Sequence, residues 1–129
     1  MAVQNDMRTP LSRVRGLGSA KDGTEHFWRQ RLTAIALVPL VLYFLWVMFQ
    51  LIGASHAEVV ACFSKPSVTI IMLIFLGTGF YHMKLGMQVI IEDYVHGGAG
   101  KALLILNTFF AIGMAAACGF AILKLGFGG

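Results

Sequence analysis

Three long apolar runs are the feature of this 129-residue sequence that most limits its fold. A helix that crosses a bilayer needs about 20 predominantly apolar residues, and each run is long enough. The runs cover residues 32–54, 68–91 and 102–123. The sequence therefore predicts an all-α membrane protein with three transmembrane helices. It divides the chain into an N-terminal segment, a three-helix membrane unit and a short tail, at residues 1–30, 31–125 and 126–129.

The composition excludes several classes of protein. Hydrophobic residues make up 57% of the chain and charged residues only 12%, whereas soluble domains carry about 25% charged residues. That balance rules out a disordered chain, a nucleic-acid-binding arm and an ordinary cytosolic enzyme.

The placement of positive charge predicts the orientation. The net charge is +4, and most of the Lys and Arg residues lie at or before Arg31. Because Lys and Arg are retained on the cytoplasmic side, we expect a cytoplasmic N-terminus, an external 55–67 loop and a cytoplasmic 92–101 loop. Asp6, Asp22 and Glu25 interrupt the basic N-terminus, which is unlike an acid-poor transit peptide. We therefore expect a multi-pass protein of the bacterial cytoplasmic (inner) membrane.

His82 is the most informative polar residue, because an ionisable side chain inside the membrane is energetically costly and usually has a function. Gly79 and Gly86 lie three residues before it and four after it, so they share its helix face. The flat surface that they leave suits a haem with an imidazole ligand. Small residues at this spacing also favour close helix packing, and the residues alone leave both interpretations open. Of the four histidines, only His82 lies deep in an apolar run. If a haem with two axial ligands binds, its second ligand must therefore come from another chain.

Asp93 and Tyr94 lie at the predicted cytoplasmic end of the second span. Asp93 falls within about 20° of the His82 face at 100° per residue. A phenol beside a carboxylate can hold a quinone carbonyl and relay protons, although Tyr94 can equally be an interfacial anchor. Lys84 lies on another face and Glu92 is interpreted as a solvated loop carboxylate. The sequence assigns no functional role to Lys84, Glu92 or His96.

Two sequence blocks resemble a known family, the smaller hydrophobic membrane anchor subunit of succinate dehydrogenase (respiratory complex II). Residues 82–95 (HMKLGMQVIIEDYV) match its pattern of His, then Gly four residues on, a Gln-containing aliphatic stretch and Asp-Tyr. Residues 31–37 (RLTAIAL) resemble the Arg-containing start of the family's first helix. The resemblance covers roughly residues 25–125.

The resemblance implies one half of a heterodimeric anchor bundle that belongs to a succinate:ubiquinone oxidoreductase. His82 matches the axial ligand of haem b, with Gly79 and Gly86 packing beside the macrocycle. Asp93 and Tyr94 match residues near the ubiquinone head group, and Arg31 matches an Arg near the quinone pocket and the haem propionates.

The partners that the resemblance implies are a second anchor of the cytochrome b556 type, an iron–sulfur subunit and a flavoprotein subunit. The resemblance implies that FAD and the iron–sulfur clusters belong to those partners. The chain's two cysteines, Cys62 and Cys118, are too few for an iron–sulfur cluster. The chain alone is not expected to oxidise succinate.

Three alternatives stay open on the sequence. The first is an anchor of a fumarate-reductase-type complex that uses menaquinone. The second is a channel or transporter, although the third span offers only Asn107 and Thr108 as pore-lining polar residues. The third is a cofactor-free scaffold in which His82 serves packing.

Overall fold

Helices account for nearly all of the computed structural model, which describes residues 9–15 and 21–127. There are five: α1 (Pro10–Val14), α2 (Lys21–Gln50), α3 (His56–Phe63), α4 (Pro66–Tyr94) and α5 (Gly97–Gly126). With 29 residues, α4 is about 44 Å long, and α2, α4 and α5 are all long and apolar enough to cross a membrane. The predicted all-α class with three spanning helices is confirmed. The parts of the predicted terminal segments at 1–8, 16–20 and 128–129 lie outside the described residues.

The helices extend further than the apolar runs. Helix α2 begins at Lys21, so the boundary that hydropathy places at residue 30 falls inside a helix. The charged first turns are compatible with a helix because Glu25 and Arg29 form an ion pair at i,i+4 spacing. At the other end, α2 stops at Gln50 because Gly53 turns the chain with a φ of 78°.

Helix α4 lies in the middle of the bundle. It packs against α2 on one side and against α5 on the other, and within the described residues α2 and α5 do not pack against each other. Asn107, which is only 8% exposed, donates from Nδ2 to the backbone oxygen of Lys84 at 3.0 Å and ties α5 to α4. The small apolar core lies at the α3 end and is built on Val47, Phe63, Val68 and Met72.

This row-like arrangement leaves much apolar side-chain surface uncovered. Leu32, Ile35, Leu42 and Phe49 on α2 all expose most of their side chains. An apolar surface of this kind suits lipid or another membrane helix as its neighbour.

The predicted 55–67 loop contains a helix that the sequence analysis did not identify. Ser55 caps α3 through a capping box with Glu58: the Ser55 N–H and hydroxyl donate to Glu58 Oε2 at 2.7 and 2.8 Å. These two hydrogen bonds lower the pKa of the Glu58 carboxyl below its ordinary value, and the bond from the Ser55 backbone N–H has the larger effect. The spacing Ser-x-x-Glu is the sequence signal that identifies such a helix start.

We predict that Ser55→Ala weakens this cap by about 1 kcal/mol. Because the pKa of Glu58 is lowered in the folded protein, its stabilising contribution is complete above the ordinary carboxyl pKa and is lost as the pH falls through the lowered one. Hydrogen-exchange protection of the α3 amides should therefore drop in Ser55→Ala at neutral pH and in the native chain at acid pH. The exposed Ser67→Ala is the control, and equal protection in both variants at neutral pH would refute the cap.

Candidate functional site

The packing of α2 against α4 defines the surroundings of His82. Three residue pairs form what we call the α2–α4 seam: Gln30 with Gly86, Thr33 with His82, and Leu37 with Gly79. The pairs run in opposite directions along the two helices, so α2 and α4 are antiparallel. The seam fixes which residues of α2 lie level with each residue of α4.

His82 makes a polar contact in the centre of this seam. Its Nδ1 lies 2.8 Å from the hydroxyl oxygen of Thr33, and the imidazole is half-buried. The contact uses one ring nitrogen and leaves Nε2 for another partner. A histidine that is held through one nitrogen and offers the other is the usual arrangement of a metal-ligating histidine.

The two glycines beside His82 both contact α2. A Cβ on Gly86 would lie 3.4 Å from Gln30 Nε2, and one on Gly79 would lie 3.9 Å from Leu37 Cδ2. These are ordinary van der Waals distances, so both glycines lie in the α2–α4 contact, and the packing at either position leaves room for a methyl group. Each also borders a groove, of about 430 Å³ at Gly86 and about 210 Å³ at Gly79.

The groove at Gly86 is lined by two residues that each carry an unsatisfied polar atom. His26 and Gln30 lie one turn apart on α2 and both line it, together with Val89. Within the part of the chain that the structure describes, His26 Nε2 and Gln30 Oε1 are buried without a hydrogen-bond partner. Buried polar atoms are normally paired, so this end of the seam has the chemistry to accept a polar group.

Arg31 and the Asp93–Tyr94 pair lie at different depths. From the seam, Arg31 is level with Leu85, so Asp93 lies about 12 Å further along the bundle axis. Arg31 is exposed and its guanidinium lies 4.9 Å from the centre of the Phe27 ring. Tyr94 is the last residue of α4 and is 80% exposed, with the exposed Asp93 beside it. The chain itself therefore does not gather these three predicted quinone residues into one cluster.

Glu92 and His96, which received no functional role from the sequence, lie at the end of α4 and at the start of α5. Glu92 lies in α4 rather than in a loop, and it accepts a hydrogen bond from Gln88 Nε2 at 2.8 Å; the loop interpretation was wrong because α4 continues to Tyr94. His96 is the exposed N-cap residue of α5. Across residues 9–15 and 21–127, no three His, Cys, Asp or Glu side chains cluster as a metal site.

Sequence reasoning missed Thr33, His26 and Gln30 as parts of the site. Thr33 stands out in the sequence only as a polar residue near the start of the first apolar run. His26 and Gln30 precede that run, where a helix was not expected. The i,i+4 spacing of Glu25 and Arg29 is the sequence signal that the helix begins before the apolar run. A helix drawn from there places His26, Gln30 and Thr33 on successive turns.

Comparison with known proteins identifies the family. Residues 5–121 match the family model described as the succinate dehydrogenase/fumarate reductase transmembrane subunit. No solved structure matches the chain significantly.

The similar curated proteins are membrane anchors. The "succinate dehydrogenase hydrophobic membrane anchor subunit" of Paracoccus denitrificans is 35% identical over 93% of both chains. The protein of the same name in Rickettsia bellii is 38% identical over 70% of this chain and 72% of its own. The "succinate dehydrogenase membrane anchor subunit" of Reclinomonas americana is 39% identical over 60% of this chain and 67% of its own. This chain therefore belongs to the succinate dehydrogenase membrane anchor subunits of the succinate dehydrogenase/fumarate reductase transmembrane family.

Proposed function

We propose that this chain anchors a succinate:ubiquinone oxidoreductase in the bacterial inner membrane and supplies His82 as one axial ligand of haem b. The observation that carries the proposal is the Thr33–His82 contact, which holds the imidazole through Nδ1 at 2.8 Å and leaves Nε2 to bind iron. Haem b, when bound, supplies one-electron redox chemistry. The partner anchor, of the cytochrome b556 type, provides the second ligand.

The residues around His82 fit a haem. Gly79 and Gly86 keep side-chain bulk off the helix face that carries His82, and each borders a groove. His26 Nε2 and Gln30 Oε1 offer unsatisfied polar atoms at one end of the same seam. The exposed guanidinium of Arg31 adds a positive charge that suits the propionates.

The end of α4 forms this chain's part of the quinone-reduction site. Tyr94 and Asp93 are exposed there, where a partner subunit can complete a pocket around them. The Tyr94 hydroxyl donates a hydrogen bond to a quinone carbonyl, and Asp93 supports proton uptake. Arg31 lies deeper, so it contributes positive charge to the side of the pocket that faces the haem. Flavin and iron–sulfur partners deliver the electrons from succinate.

Orientation and partner choice complete the proposal. The proposed orientation has the N-terminus and the Asp93–Tyr94 end of α4 on the cytoplasmic side, and the positive charge at or before Arg31 supports it. The relatives' names favour succinate dehydrogenase over a menaquinone-dependent fumarate reductase, and ubiquinone is accordingly the proposed substrate.

The test is the quinone reductase activity of the assembled complex carrying Tyr94→Phe. Removal of one hydrogen bond to the quinone should lower the succinate:ubiquinone rate about tenfold. Succinate oxidation with a water-soluble artificial acceptor should not change, because that reaction takes place in the partner subunits. Tyr43→Phe is the matched control, since Tyr43 packs against Trp46 near the other end of the bundle. An unchanged ubiquinone rate in Tyr94→Phe would remove Tyr94 from the site.

A further inference from the structure

The hydroxyl of Thr33 has three oxygen or nitrogen neighbours but only one hydrogen to donate. Its Oγ1 lies 2.9 Å from the backbone oxygen of Arg29 and 3.0 Å from that of Gln30. It also lies 2.8 Å from His82 Nδ1. Both carbonyl oxygens lie within reach of the Thr33 hydrogen, as is common for Thr in helices, so the hydroxyl can donate to the α2 backbone and accept from the imidazole at the same time.

The tautomer of His82 follows from this contact together with the proposed haem ligation. A neutral imidazole that gives its Nε2 lone pair to iron carries its proton on Nδ1. The Nδ1–H group then donates to the Thr33 oxygen, while the Thr33 hydrogen goes to the α2 backbone. The opposite tautomer would require the Thr33 hydrogen to leave both carbonyl oxygens and turn to the ring.

We infer that Thr33 is a positioning residue that fixes the ring orientation and tautomer of His82 and presents Nε2 as a ready-made ligand for haem iron. This inference rests on the proposed haem ligation by His82. Helix α2 thus takes part in the cofactor site through a hydrogen bond, although α4 carries the ligand.

The strength of the hydrogen bond from His82 Nδ1–H to the Thr33 hydroxyl determines how far it changes the midpoint potential of the haem. A hydrogen bond from Nδ1–H raises the basicity of the ligating nitrogen. Greater basicity favours the ferric state, so loss of the bond should raise the midpoint potential of the haem. A neutral hydroxyl accepts more weakly than a carboxylate would, so Thr33 orients the ring without strongly polarising it.

The test compares Thr33→Val and Thr33→Ser in the purified complex. Valine keeps the shape of threonine but accepts no hydrogen bond, and serine keeps the hydroxyl. We expect Thr33→Val to weaken haem retention about 10- to 100-fold and to raise the midpoint potential of the haem that remains. Thr33→Ser should restore both values, and Thr33→Ala replaces Thr33→Val if the latter does not assemble.

Thr108→Val is the matched control. Thr108 is also half-buried in a spanning helix, and its hydroxyl donates to the Leu104 backbone oxygen at 3.0 Å. Native haem retention and potential in Thr33→Val would overturn the inference, and so would a Thr33→Ser complex that behaves like Thr33→Val. Native haem in His82→Ala would instead overturn the proposed ligation, which separates the two failures.

Discussion

His82→Ala is expected to remove the b-type band from the reduced-minus-oxidised spectrum of the purified complex. Loss of a hydrogen bond to a metal-ligating side chain lowers metal affinity about 10- to 100-fold. Loss of the ligand itself should therefore lower the amount of haem bound per flavin by more than tenfold. The partner anchor would retain only its own ligand. Flavin that copurifies with the tagged chain reports whether the complex has assembled.

A second histidine variant separates ligation from a general loss of histidine. His56→Ala changes an exposed residue at the start of α3, away from the α2–α4 seam, and should keep the native spectrum. If His82→Ala does not assemble, His82→Gln keeps a polar side chain of similar size beside Thr33. A full haem band in an assembled His82 variant would reassign the residue to helix packing.

Gly100→Ala is expected to destabilise the junction of α4 and α5. Gly100 is buried, and a Cβ there would overlap the backbone oxygen of Val95 and lie 3.2 Å from its carbonyl carbon. A backbone neighbour cannot swing away as a side chain can, so the turn itself must shift. Overpacking of this kind amounts to about 1–3 kcal/mol, and it acts next to Asp93 and Tyr94.

Heating the detergent-purified complex and measuring the fraction that remains assembled tests this prediction. Gly98→Ala is the matched control, since a Cβ on Gly98 would meet nothing within 4 Å. We expect Gly100→Ala to dissociate at a lower temperature and to lose quinone reductase activity, and Gly98→Ala to behave as the native chain. Equal midpoints for the two variants would show that the junction tolerates a side chain at Gly100.

Hydropathy predicted the three spans but not the ends of the helices. The apolar run that starts at residue 32 marks the lipid-facing part of α2, whereas the helix begins at Lys21 because local pairs such as Glu25–Arg29 stabilise its polar turns. The loop predicted at residues 92–101 is reduced to Val95 and His96, because α4 ends at Tyr94 and α5 begins at Gly97. Gly97, with a φ of 75°, allows the chain to reverse in that short space.

The candidate site was only half predictable for a similar reason. The depth of His82 and its glycine neighbours follow from spacing within one helix. Its contact with Thr33 depends on how α2 and α4 pack, and no periodicity within a single run encodes that alignment. The separation of Arg31 from Asp93 has the same origin, since sequence distance says nothing about relative depth on two antiparallel helices.

A cryo-electron microscopy structure of the purified complex would locate the haem relative to α2 and α4. We expect haem iron bonded to Nε2 of His82, Nδ1 within hydrogen-bond distance of the Thr33 hydroxyl, and the second ligand on the partner anchor. A haem ligated elsewhere, or an imidazole whose Nε2 is hydrogen-bonded to a protein group, would contradict this expectation.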